Sequence, residues 1–101
     1  MRELPIACEL TPKEMAERRQ GLLPGLLAHA QERIEVPNGF RWRFASGSEL
    51  LNAVVYAIDL ERQCCRFLSF VLTVEPDAGP IWLEVTGPAG TAEFLKMLSQ
   101  R

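Results

Sequence analysis

Apolar and polar residues alternate in several short stretches of this chain. A period of two residues is typical of β-strands that bury one face and expose the other. In the first stretch Ile6, Cys8 and Leu10 lie on one side of the predicted strand. The stretches that we assign to strands are 4–10, 34–36, 40–44, 67–75 and 81–86.

Two turn signals join four of these stretches in pairs. Pro37-Asn38-Gly39 separates the second stretch from the third, and Pro76 to Pro80 separates the fourth from the fifth. Proline, asparagine, aspartate and glycine favour tight turns. Connections this short cannot make a crossover between parallel strands, so the sequence predicts two antiparallel hairpins.

Aromatic residues mark the buried face of the first hairpin. Phe40, Trp42 and Phe44 share one side of the strand, whereas Arg41 and Arg43 share the other. We expect the aromatic side to face the core and the arginine side to face water.

Three segments have helical signals. The first begins at Thr11-Pro12-Lys13-Glu14 and is predicted to run to about Glu32, with a kink or a second helix where Pro24 interrupts it. The second is predicted from about Gly47 to Cys64, with Ser46 and Glu49 forming a capping box. A final helix has apolar residues on one side, namely Phe94, Leu95 and Leu98.

The order of elements is strand, helix, hairpin, helix, hairpin, helix. Hairpins imply an antiparallel sheet, and apolar helices need a sheet face to cover. The sequence therefore predicts an α+β fold with about four to five strands and helices mainly on one face. At 101 residues, we expect a single domain spanning 1–101.

Composition narrows the function classes. The chain has 11 basic and 13 acidic residues, so it lacks the basic excess typical of proteins that bind nucleic acids or anionic membranes. It has no apolar run long enough to span a bilayer and no signal-like apolar region after Met1. We therefore expect a cytoplasmic protein without nucleic-acid or membrane partners, and a homodimer is one partner prediction.

Three residues at the end of the second predicted helix form the most unusual chemical feature. Glu61 lies three residues before Cys64 and four before Cys65, so a helix places it angularly between the two cysteines. Cys8, on the apolar side of the first predicted strand, is the candidate third sulfur. In a reducing cytosol we expect all three cysteines to be thiols.

Thiolates select soft ions such as Cu(I), Zn(II) and heavier thiophilic ions. The candidate metal ligands are therefore Cys64, Cys65, Cys8 and Glu61. Two or three thiols suit Hg(II), As(III) or Cu(I) better than a closed zinc site, which needs four ligands. The structural alternative is that these cysteines are small buried apolar residues.

The run Glu61-Arg62-Gln63-Cys64-Cys65-Arg66-Phe67, followed by Thr86-Gly87-Pro88 before the last helix, resembles a small family of uncharacterised bacterial domains. The resemblance covers most of the chain, including Cys8. It implies a signature built on the cysteine pair and an association with heavy-metal-resistance contexts.

Three functions from different classes are consistent with these patterns. The first is a small protein that binds a soft metal or metalloid ion, and the second is an interaction or dimerisation module with cysteines in its core. The third is a thiol-dependent enzyme, although no acid–base pair is evident beyond Glu61. His29, the sole histidine, is predicted to lie on the surface or at a helix end.

Overall fold

The computed structural model describes residues 22–99, and the side chains of residues 25–97. The predicted strand at 4–10, the helix start at Thr11 and Cys8 lie outside the described residues. The elements are α1 (Leu22–Leu27), β1 (Glu32–Val36), β2 (Gly39–Phe44), α2 (Ser48–Cys64), β3 (Ser69–Val74), β4 (Ile81–Thr86) and α3 (Thr91–Ser99).

The four strands form one antiparallel sheet in the order β1-β2-β4-β3. Together with the three helices, this arrangement confirms the α+β class. The hairpins β1–β2 and β3–β4 join through their second strands, so β2 and β4 lie in the middle and β1 and β3 lie at the edges. Both predicted hairpins are confirmed.

One face of the middle strands forms the core. Phe40, Trp42 and Phe44 of β2 are at most 2% exposed, and they pair with Val85, Leu83 and Ile81 of β4. These side chains cluster with Val54 and Ala57 of α2 and Leu95 of α3. Arg41 and Arg43 are half-exposed, which confirms the predicted register.

The turn of the first hairpin has Pro37 and Asn38 as its loop residues, because Val36 pairs with Gly39. Asn38 has a φ of 58°, a left-handed conformation that asparagine tolerates better than most residues. Gly39 lies so close to β4 that a Cβ atom there would overlap the carbonyl oxygen of Val85. Glycine is therefore required where the two hairpins meet.

The first helix ends earlier than predicted. We expected a helix to about Glu32, but α1 ends at Leu27 and Glu32 begins β1. The amide of Gln31 donates to the carbonyl oxygen of Arg43 at 2.7 Å, which directs the chain along the sheet. Pairing with β2 thus outweighs the helical signal of residues 28–32.

Two other boundaries differ from prediction. Gly47 is the N-cap of α2 and no side chain caps this helix, so the predicted Ser46–Glu49 capping box is wrong. Strand β3 starts at Ser69 rather than Phe67, because Phe67 belongs to the turn that leaves α2. Here the amide of Leu68 donates to the carbonyl oxygen of Cys65 at 3.1 Å.

The helices contact one another as well as the sheet. Helix α1 contacts α2 and α3, and α3 contacts β2. The prediction that the helices cover mainly one face stays a prediction. Within the described part of the chain, no helix combines the length and apolarity needed to cross a bilayer.

Candidate thiol site

The cysteine pair lies where α2 ends. Cys64 is the last residue of α2, and Cys65 is its C-cap, with φ −115° and ψ 78°. The Cys65 amide donates to the carbonyl oxygen of Glu61 at 2.6 Å, which closes the last helical turn. The chain then turns through Arg66 and Phe67 into β3. The predicted location of the pair, between a helix and a strand, is confirmed.

The three residues at this helix end differ in their access to solvent. Glu61 and Cys65 are fully buried, whereas Cys64 is half-exposed. Moving a carboxylate out of water is costly, so the fold has to compensate for the burial of Glu61. A reagent or ion coming from solvent therefore reaches Cys64 first.

The two adjacent sulfurs are in different chemical states. Cys64 is a free thiol and Cys65 is disulfide-bonded. The pair is therefore not joined to itself, in agreement with the strain that a disulfide between neighbouring residues imposes. The expectation that all three cysteines are thiols is not met at Cys65, and Cys8 lies outside the described residues.

The turn after Cys65 packs against the start of α3. The rings of Phe67 and Phe94 meet edge to face, with centroids 5.1 Å apart and an interplanar angle of 73°. A Cβ atom on Gly87 would lie 2.6 Å from Oγ1 of Thr91 and 3.1 Å from the carbonyl oxygen of Phe67. The segment between β4 and α3 therefore needs glycine to approach the cysteine turn.

Thr91 is a buried polar residue that sequence reasoning missed. Its hydroxyl donates to the carbonyl oxygen of Pro88 at 2.6 Å, and its amide donates to the same oxygen at 3.1 Å. Thr91 is the first residue of α3 and follows Gly87-Pro88-Ala89-Gly90. A helix-starting threonine after a glycine- and proline-rich turn was the available signal.

The four predicted ligands are only partly placed. Within residues 22–99, no group of three or more His, Cys, Asp and Glu side chains is arranged to hold a metal ion. Glu61, Cys64 and Cys65 therefore do not by themselves form a three-ligand site. The four-residue set that includes Cys8 stays a prediction.

His29 lies at a different concave region. A cavity of about 810 Å³ is lined by α1, the start of α2 and the segment before it. His29 and Glu49 line this cavity, and both are exposed. The predicted surface position of His29 is confirmed, and no cysteine among the described residues lines this cavity.

Comparisons of the chain with protein families, curated proteins and solved structures find no match. The resemblance carried by residues 61–67 and 86–88 therefore stays a prediction, and the function of the protein has to be inferred from the geometry of the helix end.

Proposed function

We propose that this protein binds a thiophilic metal or metalloid ion through the thiolates of Cys64 and Cys65. Cys8 is the proposed third sulfur, and Glu61 is the neighbouring carboxylate. The observation that supports the proposal most directly is the free, partly exposed Cys64 beside Cys65 at the end of one helix. Soft ions prefer thiolate ligands over the oxygen ligands that dominate protein surfaces.

Two thiolates are sufficient to bind some of these ions. Hg(II) and Cu(I) form linear complexes with two thiolates, whereas As(III) takes three. Adjacent cysteines oxidise to one another only with strain in the joining peptide, so chelation of an ion competes well with that reaction. We therefore expect Hg(II) and Cu(I) to need Cys64 and Cys65, and As(III) to need Cys8 as well.

Binding requires that the disulfide at Cys65 be reduced first. A dithiol reductant attacks this disulfide, the sulfur–sulfur bond breaks, and the reductant leaves as its own disulfide. Cys65 is then a thiol that can lose its proton and bind. Redox state and ion binding are thus linked, because only the reduced protein offers two adjacent thiols.

The test is a titration of fully reduced protein with Hg(II), Cu(I), As(III) and Zn(II), each added separately. Binding is followed by calorimetry and by the ultraviolet absorption of the thiolate-to-metal charge-transfer band. We expect stoichiometric binding of Hg(II) and Cu(I) by wild type, and its loss in Cys64→Ser/Cys65→Ser. Because thiols must lose protons to bind, the affinity should fall as the pH is lowered.

Three variants sharpen this test. Cys8→Ser should lose As(III) binding while keeping Hg(II) binding. Glu61→Gln measures how much the Glu61 carboxylate contributes to the affinity for each ion. Asp59→Asn, near the same helix end and only half-buried, is the matched control for removing a negative charge. Equal binding by wild type and the double serine variant, or no binding by either, would leave the cysteines as packing residues.

A further inference from the structure

The two edges of the sheet differ in how they are protected from other chains. Edge strands expose unpaired backbone groups, and native proteins usually blunt them with charges, proline or bulges. Strand β1 carries Glu32, Arg33 and Glu35 within five residues. Strand β3, Ser-Phe-Val-Leu-Thr-Val, has no charged residue, proline or glycine.

Side chains on both faces of β3 remain exposed to water. Val71 is 50% exposed and Val74 is 55% exposed. Phe70 and Leu72 are only half-buried, although their partners in β4, Val85 and Leu83, are fully buried. Among the described strands β3 pairs only with β4, so alternate residues of β3 direct their backbone groups away from the sheet.

We propose that the β3 edge pairs antiparallel with the β3 edge of a second copy of this chain. This inference is independent of the thiol site. The pairing would join the two described sheets into one continuous sheet across a twofold axis. An interface of this kind uses the backbone for affinity and alternate side chains for specificity.

The composition of β3 favours a second copy over another partner. A twofold axis perpendicular to the sheet keeps each side chain on its own face, so the axis must pass midway between one central residue and its own copy. Centred on Val71, the pairing opposes Phe70 to Leu72, Ser69 to Thr73, and Val71 to the Val71 of the second copy. Every cross-strand pair within the strand is then apolar or neutral, and such pairs stabilise antiparallel sheets.

Charges beyond the strand ends select the antiparallel direction. Glu75 and Asp77 follow β3. Antiparallel pairing places these acidic residues of the two copies at opposite ends of the interface. Parallel pairing would instead align them side by side, and such like-charge contacts are unfavourable.

The test uses the Cys64→Ser background, which removes the free thiol and with it accidental disulfide dimers. Light scattering after size exclusion should give twice the chain mass of 11.4 kDa. Val71→Lys should restore the single-chain mass, with the dimer weakened at least about tenfold by like-charge repulsion. Val55→Lys on α2 is the matched control, because Val55 is 49% exposed, and it should remain dimeric.

Mixing variants of opposite charge distinguishes loss of dimer pairing from loss of folding. Val71→Glu alone should also be monomeric, and an equimolar mixture of the Val71→Lys and Val71→Glu variants should recover the dimer. In wild type, dilution should speed amide hydrogen exchange in β3 and not in β1. A monomeric wild type, a dimeric Val71→Lys variant, failure of the mixture to recover, or dilution effects in β1 would each overturn the proposal.

Discussion

Strands β1 and β3 occupy equivalent positions at opposite edges of the sheet, and each forms a hairpin with one middle strand. Their sequences are nevertheless opposite in character. β1 combines charged and apolar residues, and its Glu32 forms an ion pair with Arg43 of β2 at 3.2 Å. β3 is uncharged and largely apolar. Within residues 22–99 neither edge strand pairs with a further strand, so the two edges differ only in their side chains, and charges protect β1 but not β3.

The middle strands show a second contrast, between the two faces of the sheet. Trp42 of β2 is 2% exposed and its ring lies 5.7 Å from that of Phe40. Trp82 of β4 is half-buried on the other face, where the guanidinium of Arg41 lies over its ring at 4.3 Å. One tryptophan therefore belongs to the core, and the other forms a cation–π contact at the surface.

The largest predicted effect tests this contrast. Trp42→Ala should lower the free energy of unfolding by roughly 3–5 kcal/mol, because it leaves a cavity in the core. Trp82→Ala is the matched control and should cost less, because its ring already contacts water. Urea denaturation of both variants measures the difference. Equal losses would mean that the two faces contribute alike.

An intermediate effect is expected where the two hairpins meet. Gly39→Ala should destabilise the fold by roughly 1–3 kcal/mol, because the added methyl group overlaps the Val85 carbonyl oxygen. Gly25→Ala is the control, since a Cβ atom at Gly25 meets nothing within 4 Å. In helix α1 that change should stabilise by about 0.5–1 kcal/mol. Thermal unfolding of both variants should therefore shift in opposite directions.

The smallest predicted effect concerns the charges of β1. Glu32→Gln removes the ion pair with Arg43, whose side chain is 38% exposed, while that of Glu32 is 47% exposed. Exposed pairs contribute about 0–1 kcal/mol, so the unfolding free energy should change by no more than that. The mass in solution should equal that of wild type. A larger loss of stability would show that the β1 charges hold the edge in place as well as protecting it.

At the thiol site, local sequence patterns predict where the residues lie along the helix but not how deeply each is buried. The helical spacing of Glu61, Cys64 and Cys65, and the helix end at Cys64, could be predicted because one helix contains or borders all these residues. Their different exposures could not be predicted, because burial depends on Phe67, Phe94 and the turn before α3. The disulfide state of Cys65 was likewise beyond a single stretch of sequence.

The sequence by itself determined the two antiparallel hairpins and the buried aromatic face of β2. Alternating apolar residues and turn residues reflect interactions between close neighbours in the chain. Both can therefore be recognised from the sequence without knowledge of the fold. Tertiary structure alone decided that α1 ends at Leu27, since the Gln31 amide bonds to Arg43 of a distant strand. It also decided the order β1-β2-β4-β3, and thus that apolar β3 became an edge. Strand order depends on packing between segments far apart in the chain, and local patterns carry no information about it.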